Sequence, residues 1–154
     1  MTRHIGVISD THGLLRPQAV TALRGSSLII HAGDVGHCDI LNALRKMAPV
    51  VAVRGNIDKD PWTRELRTTE LVQLGARSVY VLHDLNDLDL DPPTAGFDVV
   101  ITGHTHRPKI ETKDGVLYLN PGSAGPRRFN LPISVGRLEI SDNDVRAEII
   151  ELQR

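Results

Sequence analysis

Five segments of the chain stop abruptly in residue types that bind cations: Asp10-Thr11-His12, Gly33-Asp34, Gly55-Asn56, His83 and Gly103-His104-Thr105-His106. Most follow a short apolar run, and strand ends are where open α/β sheets place their sites. In Asp-x-His and His-x-His, alternate side chains of an extended segment point the same way, which is expected to bring two ligands to one side. The neighbouring glycines leave room for backbone to pass close to a metal or a phosphate. Together these segments offer seven candidate ligands: Asp10, His12, Asp34, Asn56, His83, His104 and His106. All donate through nitrogen or oxygen, and the single cysteine, Cys38, removes thiolate zinc sites and any internal disulfide from consideration. Such a set suits Mn, Fe, Co, Ni or Zn, with manganese first among them, better than an all-oxygen Ca or Mg cage. One ion cannot use seven protein ligands and keep a position open for substrate, so two ions sharing a carboxylate are expected. Two ions roughly 3.5–4 Å apart serve in-line displacement at phosphorus, or a related acyl hydrolysis, with a metal-bridging hydroxide as nucleophile.

The elements that must position these residues follow from the apolar pattern. Residues 4–9 (HIGVIS), 28–31 (LIIH) and 50–53 (VVAV) read as buried strands. Between them, 17–24 starts with Pro17 and stops at Gly25, and 38–47 sets Ile40, Leu41, Leu44 and Met47 on one helical face. That order, β-α-β-α-β, predicts a parallel start. The second half is mostly strands, at about 69–74, 78–82, 98–102, 108–111, 116–119, 132–140 and 145–151, joined by short turns such as Lys113-Asp114-Gly115. The fold class expected is α/β, with two mixed β-sheets packed as a sandwich and flanked by helices, in one domain spanning 1–154.

Composition narrows the partners. The chain has 154 residues, 40% hydrophobic and 24% charged, with a net charge of -1 and only 3% aromatic residues. Without a basic run or stacking platforms, a stable nucleic-acid complex is not expected. No apolar stretch approaches the ~20 residues of a membrane helix, and the N-terminus does not read as a signal peptide. A soluble, cytoplasmic protein acting on a small phosphoester is the expectation, and the oligomeric state is left open.

The ordered set Asp10-x-His12, His31-x-Gly33-Asp34, Arg54-Gly55-Asn56-x-Asp58, His83, Gly103-His104-Thr105-His106 and Asn120-Pro121-Gly122-Ser123 resembles the calcineurin-like metallophosphoesterases, specifically their small single-domain phosphodiesterase branch. The resemblance spans nearly the whole chain. It implies a two-sheet α/β sandwich in which Asp10, His12 and His106 hold one ion, Asn56, His83 and His104 hold the other, and Asp34 bridges both. His12 and Asn56 are also the residues expected to act on substrate. Two positions depart from the pattern. Ile57 stands where the wider superfamily often has a leaving-group histidine, which favours activated or easily cleaved diesters. Asp84 follows His83 where the small branch tends to have glycine, a strained choice if that position requires a positive φ.

Simpler readings compete at each position. Asp10 and Asp34 could cap helices or close turns, Gly55-Asn56 is a common turn pair, and His83 could be a satisfied core histidine. Asp58 and His31 read as groups that orient ligands, and Asn120, Gly122 and Ser123 as a turn beneath the site. His4, His37, Arg127 and Arg128 read as surface or structural residues, and Cys38 as inert packing. The acidic run Asp84–Asp91 reads as a solvated loop that would repel anionic substrates if it overhung the metals. Rival functions are a non-catalytic scaffold, as in the retromer subunit of this fold, and a metal-dependent hydrolase of a non-phosphate bond.

Overall fold

A computed structural model describes residues 2–152. Among these residues, ten strands form two five-stranded sheets. The first is built from β1 (Arg3–Ile8), β2 (Leu28–His31), β3 (Val50–Ala52), β9 (Ser134–Ile140) and β10 (Val145–Glu151), in the order β10-β9-β1-β2-β3. The second holds β4 (Thr69–Leu74), β5 (Arg77–Leu82), β6 (Val99–Ile101), β7 (Lys109–Lys113) and β8 (Val116–Asn120), in the order β4-β5-β6-β8-β7. Both are mixed. β1, β2 and β3 run parallel, as do β5, β6 and β8, whereas β9, β10, β4 and β7 pair antiparallel at the flanks.

Side-chain alternation sorts each strand between two layers. Ile5, Val7 and Ile30 face Val79, Val81, Val99, Ile101 and Leu119 across the sandwich and make its core. The neighbours Ile8 and Ile29 point the other way, onto helices α1 (Pro17–Leu23) and α2 (Cys38–Arg45) through Ala19, Leu23, Leu41 and Leu44. Gly6 shares that outer face because a Cβ there would lie 2.7 Å from Leu23 Cδ2. On the second sheet Tyr80, Leu82 and Val100 pack under Phe97, beside the one-turn helix α3 (Pro92–Ala95).

The strands and the first two helices fall within a few residues of their expected bounds. The sequence reading did not anticipate the 3-10 turns at Pro61–Glu65 and Leu85–Asp87, nor α3. These are single-turn elements in polar segments, too short to show a hydrophobic period. For the site, what matters is that the parallel strands β1, β2, β3, β5 and β6 all deliver their C-terminal ends to one edge of the sandwich.

Candidate metal centre

Each of those strand ends releases the chain into a tight loop, and five of the seven expected ligands sit there in the left-handed region. Their φ values are 56° for Asp10, 47° for His12, 56° for Asp34, 72° for His104 and 63° for His106. Non-glycine residues rarely adopt this conformation, and strain of this kind persists only where surrounding structure enforces it. Convergence through alternating side chains of extended segments is therefore corrected: Asp10, His12, His104 and His106 meet through left-handed turns, not through strand periodicity.

The surrounding structure supplies the enforcement. Asp10 N–H donates to Gly33 O and His12 N–H to Asp34 O, tying the first two loops together. The buried Asp58 carboxylate accepts from Val35, Gly36 and Gly55 N–H, at 3.2, 3.1 and 2.9 Å, and locks the Asp34 loop to the Asn56 loop. His31 accepts from Gly33 N–H at Nδ1, which leaves its Nε2–H to donate to Thr11 Oγ1, 3.0 Å away. Thr11 Oγ1 in turn donates to Val35 O. Asn120 Nδ2 donates to Gly103 O, and Ser123 Oγ donates to Asp10 O, so the 120–123 turn braces the site from below. Two glycines are required by close approach: a Cβ at Gly55 would strike Asp34, and one at Gly103 would strike Ser9 Oγ and the Asp10 carboxylate.

Both carboxylates are arranged alike. Asp10 Oδ2 accepts from Ser9 Oγ (2.6 Å) and His104 N–H (3.1 Å), while Oδ1 faces His106 Nε2 at 3.4 Å, His12 Nε2 at 3.7 Å and His83 Nε2 at 3.8 Å. Asp34 Oδ1 accepts from Ile57 N–H at 3.0 Å, while Oδ2 faces His83 Nε2 at 3.2 Å and His12 Nε2 at 3.6 Å. One oxygen of each is anchored and the other is turned toward imidazoles. His83 Nδ1–H donates to Ala32 O at 2.7 Å, which aims Nε2 at the same centre. One terminal atom of the Asn56 amide lies 3.1 Å from both His83 Nε2 and Asp34 Oδ2.

In the metal-free chain this crowding perturbs protonation. Burial opposes the charged form of Asp10, but the rings of His106 and His12, the Ser9 hydroxyl and the charge of His83 outweigh it and hold the carboxyl well below the usual range. Burial likewise works against the Asp34 carboxylate, and His83 with the Ile57 N–H prevails. The partner ring follows the same logic: burial disfavours charged His83, and Asp34 and Asp10 raise it nonetheless.

The residues fit a divalent metal on three observations. Asp10 Oδ1, His12 Nε2 and His106 Nδ1 are buried with no hydrogen-bond partner, an expensive state unless something else satisfies them. Ligand atoms of Asp10, His12 and His106 lie within 4.8 Å of one another, and so do those of Asp10, Asp34 and His83. The donors are oxygens and imidazoles only, and the other group, exposed His37 and Asp39 with half-buried Cys38, lies apart at the start of α2, where His37 caps the helix.

His104 and Asn56 lie at the rim, exposed, beside a cleft of about 450 Å³ whose walls include Arg54, Thr69, Asp84, Asp87 and Asp89. The acidic run is therefore more than a solvated loop, since three of its carboxylates border the site. Asp84 needs no glycine: its φ is −116°, and its Oδ1 accepts from Asn86 N–H. The strain expected at that position is absent. Ser9 and Thr11 escaped the sequence reading, and their only signal was adjacency to Asp10. His4 pairs at the surface with Glu139, and no helix among the described residues is long and apolar enough to cross a membrane.

Known proteins resemble this chain over most of its length. The model of the calcineurin-like phosphoesterase superfamily domain matches residues 4–143. A probable metallophosphoesterase of Methanothermobacter thermautotrophicus is 39% identical over 95% of this chain and 91% of its own length. The phosphodiesterase YfcE of Escherichia coli K12 is 29% identical, covering 92% of this chain and 88% of its own. Among solved structures, an archaeal phosphodiesterase superposes with a TM-score of 0.79 at 24% identity, over 96% of this chain and 99% of that one. Vacuolar protein sorting 29 from Cryptosporidium parvum gives 0.76 at 19% identity, over 99% of both. These structural likenesses speak for the sandwich fold alone, whereas the domain match and the sequence relatives speak for descent: the chain belongs to the calcineurin-like phosphoesterase superfamily.

Proposed function

We propose that this chain hydrolyses a phosphodiester at a centre of two divalent cations, manganese first among the candidates. The observation that carries the reading is the cluster of Asp10, His12 and His106, whose ligand atoms lie within 4.8 Å of one another and among which Asp10 Oδ1 and His12 Nε2 are buried without a hydrogen-bond partner. Asp10, His12 and His106 would hold one ion; Asn56, His83 and His104 would hold the other, with Asp34 shared. When bound, two such ions supply an activated water nucleophile and neutralise the phosphoryl oxygens.

The chain's own residues do the rest. Asp34 Oδ2 faces both His12 and His83, so it is placed to set the spacing of the two halves. The anchored oxygens of Asp10 and Asp34 cannot swing away, which keeps the donors preorganised for charge that develops in the transition state. Asn56 sits where the centre meets the cleft and is positioned to touch a substrate oxygen. Ile57 offers no proton to a leaving group, and its side chain is 42% exposed, so esters with good leaving groups are favoured. The proton for the leaving group would come from solvent, since His12 offers the cation its Nε2, the nitrogen that faces both carboxylates. Asp84, Asp87 and Asp89 on the cleft wall disfavour a dianionic monoester more than a monoanionic diester.

The scaffold reading has its own support in the likeness to vacuolar protein sorting 29, but all seven expected ligands are present and drawn to one edge here. The deciding experiment is hydrolysis of bis(p-nitrophenyl) phosphate and p-nitrophenyl phosphate by chelator-stripped protein, with and without Mn²⁺, beside Asp34→Asn. Diester hydrolysis that returns with Mn²⁺ and is missing in the variant is the expected result. Folded, Mn²⁺-loaded protein inert toward both esters would sink the enzymatic reading.

A further inference from the structure

We propose that Asp84 is a positioning residue for His104, taking the Nε2–H of that ring so that Nδ1 is the atom left to hold a cation. The inference rests on the two-cation reading above. Its starting point is the direction of the Asp84 side chain. Oδ1 accepts from Asn86 N–H at 3.0 Å, closing an Asx turn, so the direction of Oδ2 is fixed by backbone. That second oxygen lies 3.6 Å from His104 Nε2, just beyond hydrogen-bond length, so that a small turn of the exposed ring completes the bond. The backbone conformation at 84 does not demand glycine; the turn accounts for Oδ1 and leaves Oδ2 to face His104.

His83, one residue earlier, shows the same device. Its Nδ1–H goes to Ala32 O, and the opposite nitrogen faces the carboxylates. Imidazoles that hold metals commonly donate their other N–H to a carbonyl or a carboxylate, which fixes tautomer and ring orientation. The two rings meet edge to face, with centroids 5.2 Å apart. His83 is buried and needs only a carbonyl to hold it, whereas His104 is exposed and has more freedom to lose. The carboxylate of the residue after His83 supplies the restraint and, from the far side of the ring, makes the ligating nitrogen more basic.

Asp84→Asn separates this role from the turn. The amide oxygen keeps the bond to Asn86 N–H, and the amide nitrogen then faces His104 Nε2, two donors opposed. Mn²⁺ titration followed by electron paramagnetic resonance of free ion should give two sites in the wild-type chain. In Asp84→Asn the weaker site should lose about 10- to 100-fold in affinity, the range for such outer partners, while the tighter site is unchanged. In the Zn²⁺-loaded protein, long-range ¹H–¹⁵N spectra should show His104 protonated at Nε2, and the variant should lose that signature. On a His104→Ala background, Asp84→Asn should change nothing further.

Two sites of unchanged affinity in Asp84→Asn, with the same His104 tautomer, would overturn the inference and leave the two-cation reading intact. A single site in the wild-type chain would overturn both. Equal weakening of the two sites, or an undiminished effect on the His104→Ala background, would also count against a specific action through His104.

Discussion

The two halves of the candidate centre are built on different plans. Asp10, His12 and His106 are buried or nearly so, and three of their polar atoms have no partner. Asn56 and His104 lie exposed at the mouth of the cleft, with only His83 buried behind them. Left-handed backbone occurs in both, but the Asp10 and His12 loop of the closed half is tied by backbone hydrogen bonds to Gly33 O and Asp34 O, whereas the loops of the open half are held through side chains, Asp10 Oδ2 on His104 N–H and Asp58 on Gly55 N–H. A cation in the closed half is therefore expected to be held tightly and to complete the fold, and one in the open half to exchange more readily and to meet substrate first.

The comparison breaks most visibly if the halves respond alike to loss of one histidine. His106→Ala is expected to abolish binding at both positions and to lower Mn²⁺-dependent diester hydrolysis by more than about 100-fold, beyond what loss of an outer partner does. His104→Ala should leave one site intact by Mn²⁺ titration and reduce hydrolysis less than His106→Ala does. Equal losses of affinity and rate would show that the centre is not divided as described.

Next in size is an effect of acid on the closed half. Burial drops the pKa of His31 from 6.5 to about 4, and the nearby charges of Asp10 and Asp58 do not restore it. The unfolded ring takes up its proton near pH 6.5 and the folded ring only near 4. The neutral ring's contribution to stability is thus complete above pH 6.5 and lost as pH falls toward 4, about 3 kcal/mol in all. Urea unfolding of metal-free protein at pH 7 and pH 4.5 should show this loss, and His31→Gln should show a correspondingly smaller difference between the two pH values. A pH dependence identical in variant and wild type would remove His31 from the account of how the Asp10 loop is held.

Gly103→Ala addresses the junction between the halves, because the new methyl would meet Ser9 Oγ and the Asp10 carboxylate at once. Forcing a methyl into a packed site typically costs about 1–3 kcal/mol, seen as a drop in Tm of roughly 2–4 °C per kcal/mol. The expected signature is lower Tm together with weaker binding at the closed site, since Ser9 and Asp10 move together.

How much of this was legible in the sequence differs between the halves. The strands ended where their apolar runs ended, and cation-binding residues stood at those ends, so the edge of the sandwich and its seven candidate residues could be read directly. The means of convergence could not. Left-handed backbone at Asp10, His12, Asp34, His104 and His106 arises from long-range hydrogen bonds such as Asp10 N–H to Gly33 O, and no local pattern encodes those partners. Ser9 resembled any strand-end serine until its hydroxyl was seen on Asp10 Oδ2. Asp84 was misjudged for a related reason: its adequacy depends on a φ value that its neighbours set, and the 3-10 turn at Leu85–Asp87 that sets it has no periodic signal. The closed half thus hid its backbone restraints and the open half its side-chain ones, because in both the partners lie on loops distant along the chain.

The smallest expected effect sharpens what the open half does for substrate. Asp87 and Asp89 are exposed on the cleft wall, where water and salt screen their charge, so each is expected to contribute less than about 1 kcal/mol, or roughly fivefold in rate. Their charge acts twice as strongly on a dianion as on a monoanion. Asp87→Asn combined with Asp89→Asn should therefore raise kcat/KM for p-nitrophenyl phosphate by a few fold, raise it less for the diester, and leave both Mn²⁺ affinities unchanged. Added salt should shrink the difference between variant and wild type, because only a screened, through-space interaction behaves that way. A change of equal size for both esters, insensitive to salt, would mean that the two carboxylates shape the cleft and do not select substrate by charge.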